Sequence, residues 1–314
     1  MIGRVVETHN RMYRVRIDET GRKKEHIMLC QPKGDIRRNS NPDYHLPVIG
    51  DRVEIVKRKA KGSGIEGLIV RIQGRNNQFA RAITGGRPDR KKVMAANIDR
   101  VFIVAAWVKP GLNWGMIDRF LVYCELHRLN PIILLNKVDL YPKWEQETLV
   151  SYYRDLGYEV LGISAKQAVG LDELREHAAS GITLLTGASG VGKSSIINAL
   201  CPHADLSVRE VSARDGQGKH TTSNSLLIPT GPEAYLADSP GIREFLPPSQ
   251  PRDEIRFGFP EFIPIQGECP FSNCLHTNEP TCAVFEAVSM GIIHPHRYAS
   301  YLALLSDNDL QAGS

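Results

Sequence analysis

Residues 181–195 read GITLLTGASGVGKSS, and this stretch decides the fold. A run of apolar residues passes into glycines, then a lysine and two serines. Gly187, Gly192, Lys193 and Ser194 have the spacing of a phosphate-binding loop set between a strand and a helix. Glycines let backbone amides turn toward phosphates without a Cβ clash, and the start of the following helix adds its dipole and free N–H groups. The loop formed by Gly187, Ala188, Ser189, Gly190, Val191, Gly192, Lys193, Ser194 and Ser195 is therefore expected to cradle a nucleotide. Lys193 would reach the β- and γ-phosphates and Ser194 would bind Mg²⁺. More than half of the chain precedes this loop, whereas such a loop ordinarily follows the first strand of its domain.

A phosphate loop does not select a base. NKVD at 136–139 does, and it sits directly after a strand, where α/β sheets bind ligands. Asp139 can accept two hydrogen bonds from the ring N–H and amino group of guanine, a donor pair that adenine does not present. Asn136 can bond the base edge and tie loops together, and the stem of Lys137 can lie along the ring. SAK (Ser164, Ala165, Lys166) also follows a strand, and the Ala165 amide is placed to donate to guanine O6. DSPG at 238–241 follows the strand AYLA: Asp238 would hold Mg²⁺ through water, and Gly241 would offer its N–H to the γ-phosphate. A threonine that closes on Mg²⁺ is sought in the polar stretch 214–225, RDGQGKHTTSNS, where Thr222 is the choice and Thr221 the alternative.

Around these motifs, buried-strand runs such as VFIVAA, PIILL and EVLGI alternate with segments of helical spacing such as IDRFLVYCEL and GLDELREHAA. That alternation predicts a parallel sheet covered by helices on both faces. Residues 1–80 differ. GRVVE, MYRVRID, EHIMLC, DRVEIV and EGLIVRI are five short strands separated by turn-rich segments, which fits a small OB-fold barrel. TGGRPDRKK at 84–92 reads as a basic linker, and beyond 248 the pattern turns irregular, with a helical tail. The expected division is a barrel at 1–80, an α/β domain at 81–247 and a C-terminal domain at 248–314. Charge follows it: residues 1–92 hold 22 lysines and arginines against 10 carboxylates, the remainder 17 against 25. A basic end on an acidic remainder points to a polyanion such as RNA, or to no more than a well-solvated surface. No apolar run approaches a membrane span, and the first ten residues lack the apolar core of a signal peptide. The expected compartment is the cytoplasm, where thiols stay reduced.

Of the six cysteines, Cys269, Cys274 and Cys282 lie close together with His276 among them. Three thiolates and one imidazole make a closed tetrahedral Zn²⁺ set with a structural role, in a segment too irregular to build a large core. A disulfide pair and buried free thiols are the alternatives. His294 and His296 read as surface or partner-facing residues.

The order NKVD, SAK, GASGVGKSS, HTT, DSPG resembles that of the RsgA (YjeQ-type) family of circularly permuted GTPases, as do PVIGDRVEI, VMAANIDRVFIV and DSPGIREF, over essentially the whole chain. The resemblance implies a permuted GTPase domain between an OB barrel and a mostly helical zinc-binding domain. It implies a monomer that hydrolyses GTP with Mg²⁺, binds the small ribosomal subunit and its rRNA, assists late maturation and is stimulated by the subunit. Ras-like enzymes place a glutamine after the D-x-x-G glycine to orient water; this chain has Ile242. His220, two residues before Thr222, is the candidate to orient water instead, a role the resemblance supports, with a solvated loop histidine as the alternative. Ala188 departs from the longer polar residue common in relatives.

Overall fold

The computed structural model describes residues 1–18, 26–37, 46–58, 64–82, 91–202, 225–238, 247–248, 250–277 and 279–312. Five short strands with alternating apolar residues curl the N-terminal stretch into a barrel: β1 (Ile2–His9), β2 (Met12–Ile17), β3 (Ile27–Pro32), β4 (Arg52–Lys57) and β5 (Gly67–Ile72). β3 and β5 pair in parallel, and β4 pairs with both β5 and β1, which closes the barrel in OB-fold order. Val5, Val15, Met28, Val53, Ile55 and Ile69 fill it.

A hairpin follows, β6 (Gln78–Ala82) with β7 (Lys91–Ala96). Lys91 and Lys92, expected at the end of a linker, are instead the first residues of a strand. Their charge hid the apolar half of that strand, VMAA, from a pattern reading.

The α/β domain contains β8 (Arg100–Ala106), α1 (Trp114–Leu126), β9 (Pro131–Asn136), α2 (Thr148–Asp155), β10 (Glu159–Ile163), α3 (Leu171–His177), β11 (Gly181–Thr186), α4 (Lys193–Leu200), β12 (Ser225–Gly231) and β13 (Ala234–Asp238). β10, β9, β8, β11 and β13 lie side by side in parallel, and β12 runs antiparallel beside β13. The parallel strands are apolar along both faces because helices cover both. Phe120 of α1 and Tyr153 of α2 pack on one face; Leu174 of α3 and Ile196 of α4 pack on the other.

Among the described residues the barrel and this domain share one sheet of 11 strands. β1 pairs antiparallel with β12, with Thr8 opposite Ser225 and Glu7 opposite Leu226. Arg16 of the barrel adds an ion pair to Glu233 and a hydrogen bond to the Tyr235 hydroxyl.

The C-terminal region holds α5 (Ile263–Gln266), α6 (Ala283–Ser289) and α7 (Pro295–Ala312). Its core of Ile255, Phe259, Phe262, Val284 and Tyr301 takes in Val122 of α1, so the region packs directly on the α/β domain. No described helix is long and apolar enough to cross a membrane.

Candidate nucleotide site and cysteine cluster

Three strand ends converge. β11 runs into the phosphate loop, and two of its glycines are required by geometry. Gly187 has φ +138°, and a Cβ there would lie 2.1 Å from the Val104 carbonyl oxygen of β8. Gly192 has φ +101°, and a Cβ there would meet the Asn136 side-chain nitrogen at 2.3 Å. Any larger residue would push the loop off the neighbouring strand end. α4 begins at Lys193, a residue only 7% exposed. Its Nζ donates to the carbonyls of Gly187 at 2.8 Å and Ala188 at 2.6 Å, which folds the loop around the ammonium.

β9 and β10 deliver the other two loops. Asn136 is buried; its Nδ2 donates to the Val191 carbonyl at 2.8 Å, and its Oδ1 accepts from the Ala165 amide at 3.3 Å. One side chain thus joins the NKVD, SAK and phosphate loops. Lys137, in the left-handed region at φ 65°, donates to the Gly190 carbonyl at 2.9 Å and to the Lys109 carbonyl. Ser164 is buried, and its Oγ accepts from the Gln167 amide, which shapes the SAK turn. Asp139, Lys166, Ala188, Ser189, Gly190 and Ser195 are exposed around this junction, and Ser194 is half-buried. Asp238 ends β13 and is buried. His220, Thr221, Thr222, Gly241 and Ile242 lie outside the described residues.

The family model described as RsgA GTPase matches residues 72–246. This chain belongs to the RsgA GTPase family. The small ribosomal subunit biogenesis GTPase RsgA of Caldanaerobacter subterraneus subsp. tengcongensis is 37% identical over 281 residues, 90% of this chain and 88% of the relative. That of Actinobacillus succinogenes is 41% identical over 265 residues, 83% and 75% of the two chains. YjeQ from Thermotoga maritima superposes with a TM-score of 0.71 at 30% identity, over 98% of this chain and 97% of that one. YloQ, a circularly permuted GTPase, gives 0.72 at 27% identity, over 98% and 94%. The RsgA-family chain is thus a permuted GTPase, and the late position of its phosphate loop follows from that permutation.

In the C-terminal region of this RsgA-family protein, Cys269, Cys274, His276 and Cys282 point their ligand atoms at one another, all within 4.8 Å. Cys282 Sγ lies 4.0 Å from Cys269 Sγ and 3.9 Å from Cys274 Sγ, and His276 Nδ1 lies 3.5 and 3.4 Å from Cys269 and Cys282. A tetrahedral ion with metal–sulfur bonds of about 2.3 Å spaces its sulfurs by about 3.8 Å, so the donor atoms fit one such ion. Burial and the neighbouring thiols push the Cys274 thiol up to about 12. A cation reverses that cost by binding thiolates, and burial keeps His276 in the neutral form that ligates. Around the cluster, Tyr298 and Tyr301 donate to the carbonyls of His276 and Leu275, and Arg256 donates to that of Cys274.

A second cluster lies between α1 and α7, and no sequence signal announces it. Arg297 is fully buried; it bonds Asp118 Oδ1 at 2.6 Å and forks onto Glu261 at 2.6 and 3.1 Å. Tyr153 donates to Asp118, and the Arg297 guanidinium lies over the Tyr153 and Phe259 rings. His296 Nε2 is 3.5 Å from Asp118 Oδ2, and the His294 amide donates to the Tyr152 hydroxyl. His294 and His296, read as surface or partner-facing, pack instead against α1 and α2 of their own chain.

Proposed function

We propose that this chain binds GTP and Mg²⁺ in the cradle of the phosphate, NKVD and SAK loops and hydrolyses the nucleotide on the small ribosomal subunit, which stimulates turnover. The observation that carries the reading is Asn136, one buried side chain bonded to both neighbouring loops. It makes base recognition and phosphate binding one rigid unit.

In this reading the loop amides of 187–195 and Lys193 hold the phosphates, Ser194, Thr222 and Asp238 serve Mg²⁺, and Gly241 senses the γ-phosphate. Asp139 selects guanine, with Ala165 and Lys166 at the same end. His220 orients water, since Ile242 has no group to do so. Residues 81–247 carry this chemistry, the basic barrel at 1–80 anchors rRNA, and residues 248–314 hold one structural zinc through Cys269, Cys274, His276 and Cys282. The protein works as a cytoplasmic monomer in late subunit maturation.

GTP and ATP turnover, measured with and without small subunits, tests this: preference for GTP and stimulation are expected, and the absence of both rejects it. Asp139→Asn should lower GTP binding by about 1–3 kcal/mol and shift preference toward xanthosine triphosphate, whose oxo group replaces the amino group that the carboxylate accepts from. Competition binding with the two nucleotides reads the shift; unchanged preference removes Asp139 from base recognition. For the zinc site, elemental analysis should find one zinc per chain. Cys274→Ser should lose it, together with the cooperative unfolding of residues 248–314, because those residues otherwise hold buried thiols without a cation.

A further inference from the structure

Among the described residues, six of the thirteen large apolar residues left exposed are Phe257, Ile263, Phe271, Phe285, Met290 and Ile292, all in the C-terminal region. Single exposed apolar residues are ordinary, whereas several on one small element mark an interaction surface. α6 and its closing turn carry three of them. Cys282 of the metal cluster is the N-cap residue of α6, and Val284 and Ala287 sit in the core with Phe262 and Tyr301. On the outward side, Phe285 is 54% exposed, Met290 66% and Ile292 61%. Helix termination does not account for Ile292. α6 closes on Gly291 at φ 75°, with the Gly291 amide bonded to the Val288 carbonyl at 3.1 Å and the Ile292 amide to the Ala287 carbonyl at 2.9 Å. In such a helix end the residue after the glycine often packs its side chain back on the last turn. Ile292 leaves its side chain in water, while the next residue, Ile293, is fully buried and pins the turn. The three apolar side chains therefore stand on a fixed base beside the metal cluster, with little ordering left to do on binding.

Charge selects the kind of partner. Residues 248–314 hold no lysine, and three arginines against eight carboxylates. Two of those arginines turn inward: Arg297 is buried on Asp118 and Glu261, and Arg256 donates to the Cys274 carbonyl. Asp253, Glu254, Glu268 and Glu286 are exposed. By helical spacing Glu286 lies between Phe285 and Met290 on the outward side of α6. RNA binding needs cations to neutralise phosphates, so this face repels RNA. Aromatic and methionine side chains with a carboxylate among them fit a protein that brings lysines or arginines around an apolar residue.

We propose that Phe285, Met290 and Ile292, with Glu286 among them, dock a basic protein segment that seats an apolar side chain on α6. The inference rests on the reading that the small ribosomal subunit is the partner, and it assigns this face to one of the subunit's basic proteins and not to its RNA.

The test uses two variants of the full chain: Phe285→Ser, Met290→Ser and Ile292→Ser combined, and Glu286→Lys alone. All these positions are exposed, so zinc content and the unfolding midpoint should hold. The triple variant should lose on the order of tenfold in affinity for small subunits. Its slope of log affinity against log salt should stay that of the parent, because no phosphate contact is removed. Glu286→Lys decides the class of partner by its sign: affinity falls severalfold against a basic protein and rises against RNA. With benzoylphenylalanine in place of Met290, irradiation on subunits should crosslink a protein through a peptide rich in lysine and arginine. Crosslinks to rRNA, or parent-like affinity in both variants, overturn the proposal. If the parent ignores small subunits, an amphipathic peptide of leucine and lysine alone is the probe. Binding that the triple variant loses then keeps the face and rejects the subunit as partner; equal binding by both rejects the face. Dimers of the parent that the triple variant abolishes, with subunit affinity unchanged, overturn the proposal in favour of a second copy of the chain.

Discussion

Lys193→Ala is expected to lower kcat/KM for GTP by at least about 10²–10³-fold, about 2.7–4 kcal/mol of transition-state stabilisation. Two losses combine. In the proposed reading the ammonium is the charge at the mouth of α4 that meets the phosphates, and it is buried where its field is weakly screened. Its bonds to the Gly187 and Ala188 carbonyls also hold the loop closed around it. Without the ammonium those carbonyls face the anionic ligand uncompensated. Lys193→Arg should fail nearly as badly: a planar guanidinium cannot take the place of an ammonium held at 2.8 and 2.6 Å by two carbonyls of one tight loop. Single-turnover phosphate release and nucleotide affinity measured side by side check the claim. Turnover within a factor of a few of the parent would remove Lys193 from the chemistry.

Arg297→Ala is expected to cost about 3–5 kcal/mol of stability, the range for breaking a buried ion pair by removing one partner. Asp118 and Glu261 would then share a buried space without their counter-ion. Arg297→Met should do no better, since it fills the volume but leaves the carboxylates. Arg297→Met combined with Asp118→Asn and Glu261→Gln should recover part of the loss, because it removes the stranded charges. Denaturant midpoints of the three proteins read the comparison; a loss below about 1 kcal/mol for the single variant would mean that water reaches the cluster. The sign with pH follows from Asp118. Burial works to raise its pKa, but His296, Arg297, Ser300 and Tyr153 outweigh it and hold the carboxyl below its usual range. Its contribution is therefore complete above the unfolded carboxyl pKa of about 3.9 and is lost as pH falls through the lower folded value. Acid should detach the C-terminal region from α1 and α2 first. Exchange of the amides of α7, followed from pH 6 downward, measures this.

The nucleotide cradle was legible because its requirements are local. Gly187 and Gly192 are glycines since the loop turns through positive φ against a neighbouring backbone, and the spacing to Lys193 is set by one helical start. NKVD and SAK were legible for the same reason, each being a short loop at the end of an apolar strand. The barrel strands showed in their alternation. β12 did not: its sequence SLLIPTG carries a proline and ends in glycine, both marks of a loop. It is a strand because β13 on one side and β1 on the other supply its hydrogen bonds. The histidines beside Pro295 gave no hint of which surface they meet, because the answer lies in α1 and α2.

Motif order alone was enough for a permuted GTPase fold and for picking out the three loops and the four side chains, Cys269, Cys274, His276 and Cys282, that the structure brings together, because each depends on residues near one another in the chain. How the parts are joined was decided only in three dimensions. Arg297 meets Asp118 across 179 residues, and Arg16 meets Glu233 across 217. Neither pair has a spacing to recognise. A buried charge finds its counter-ion wherever packing brings one, and that position is a property of the folded domains together.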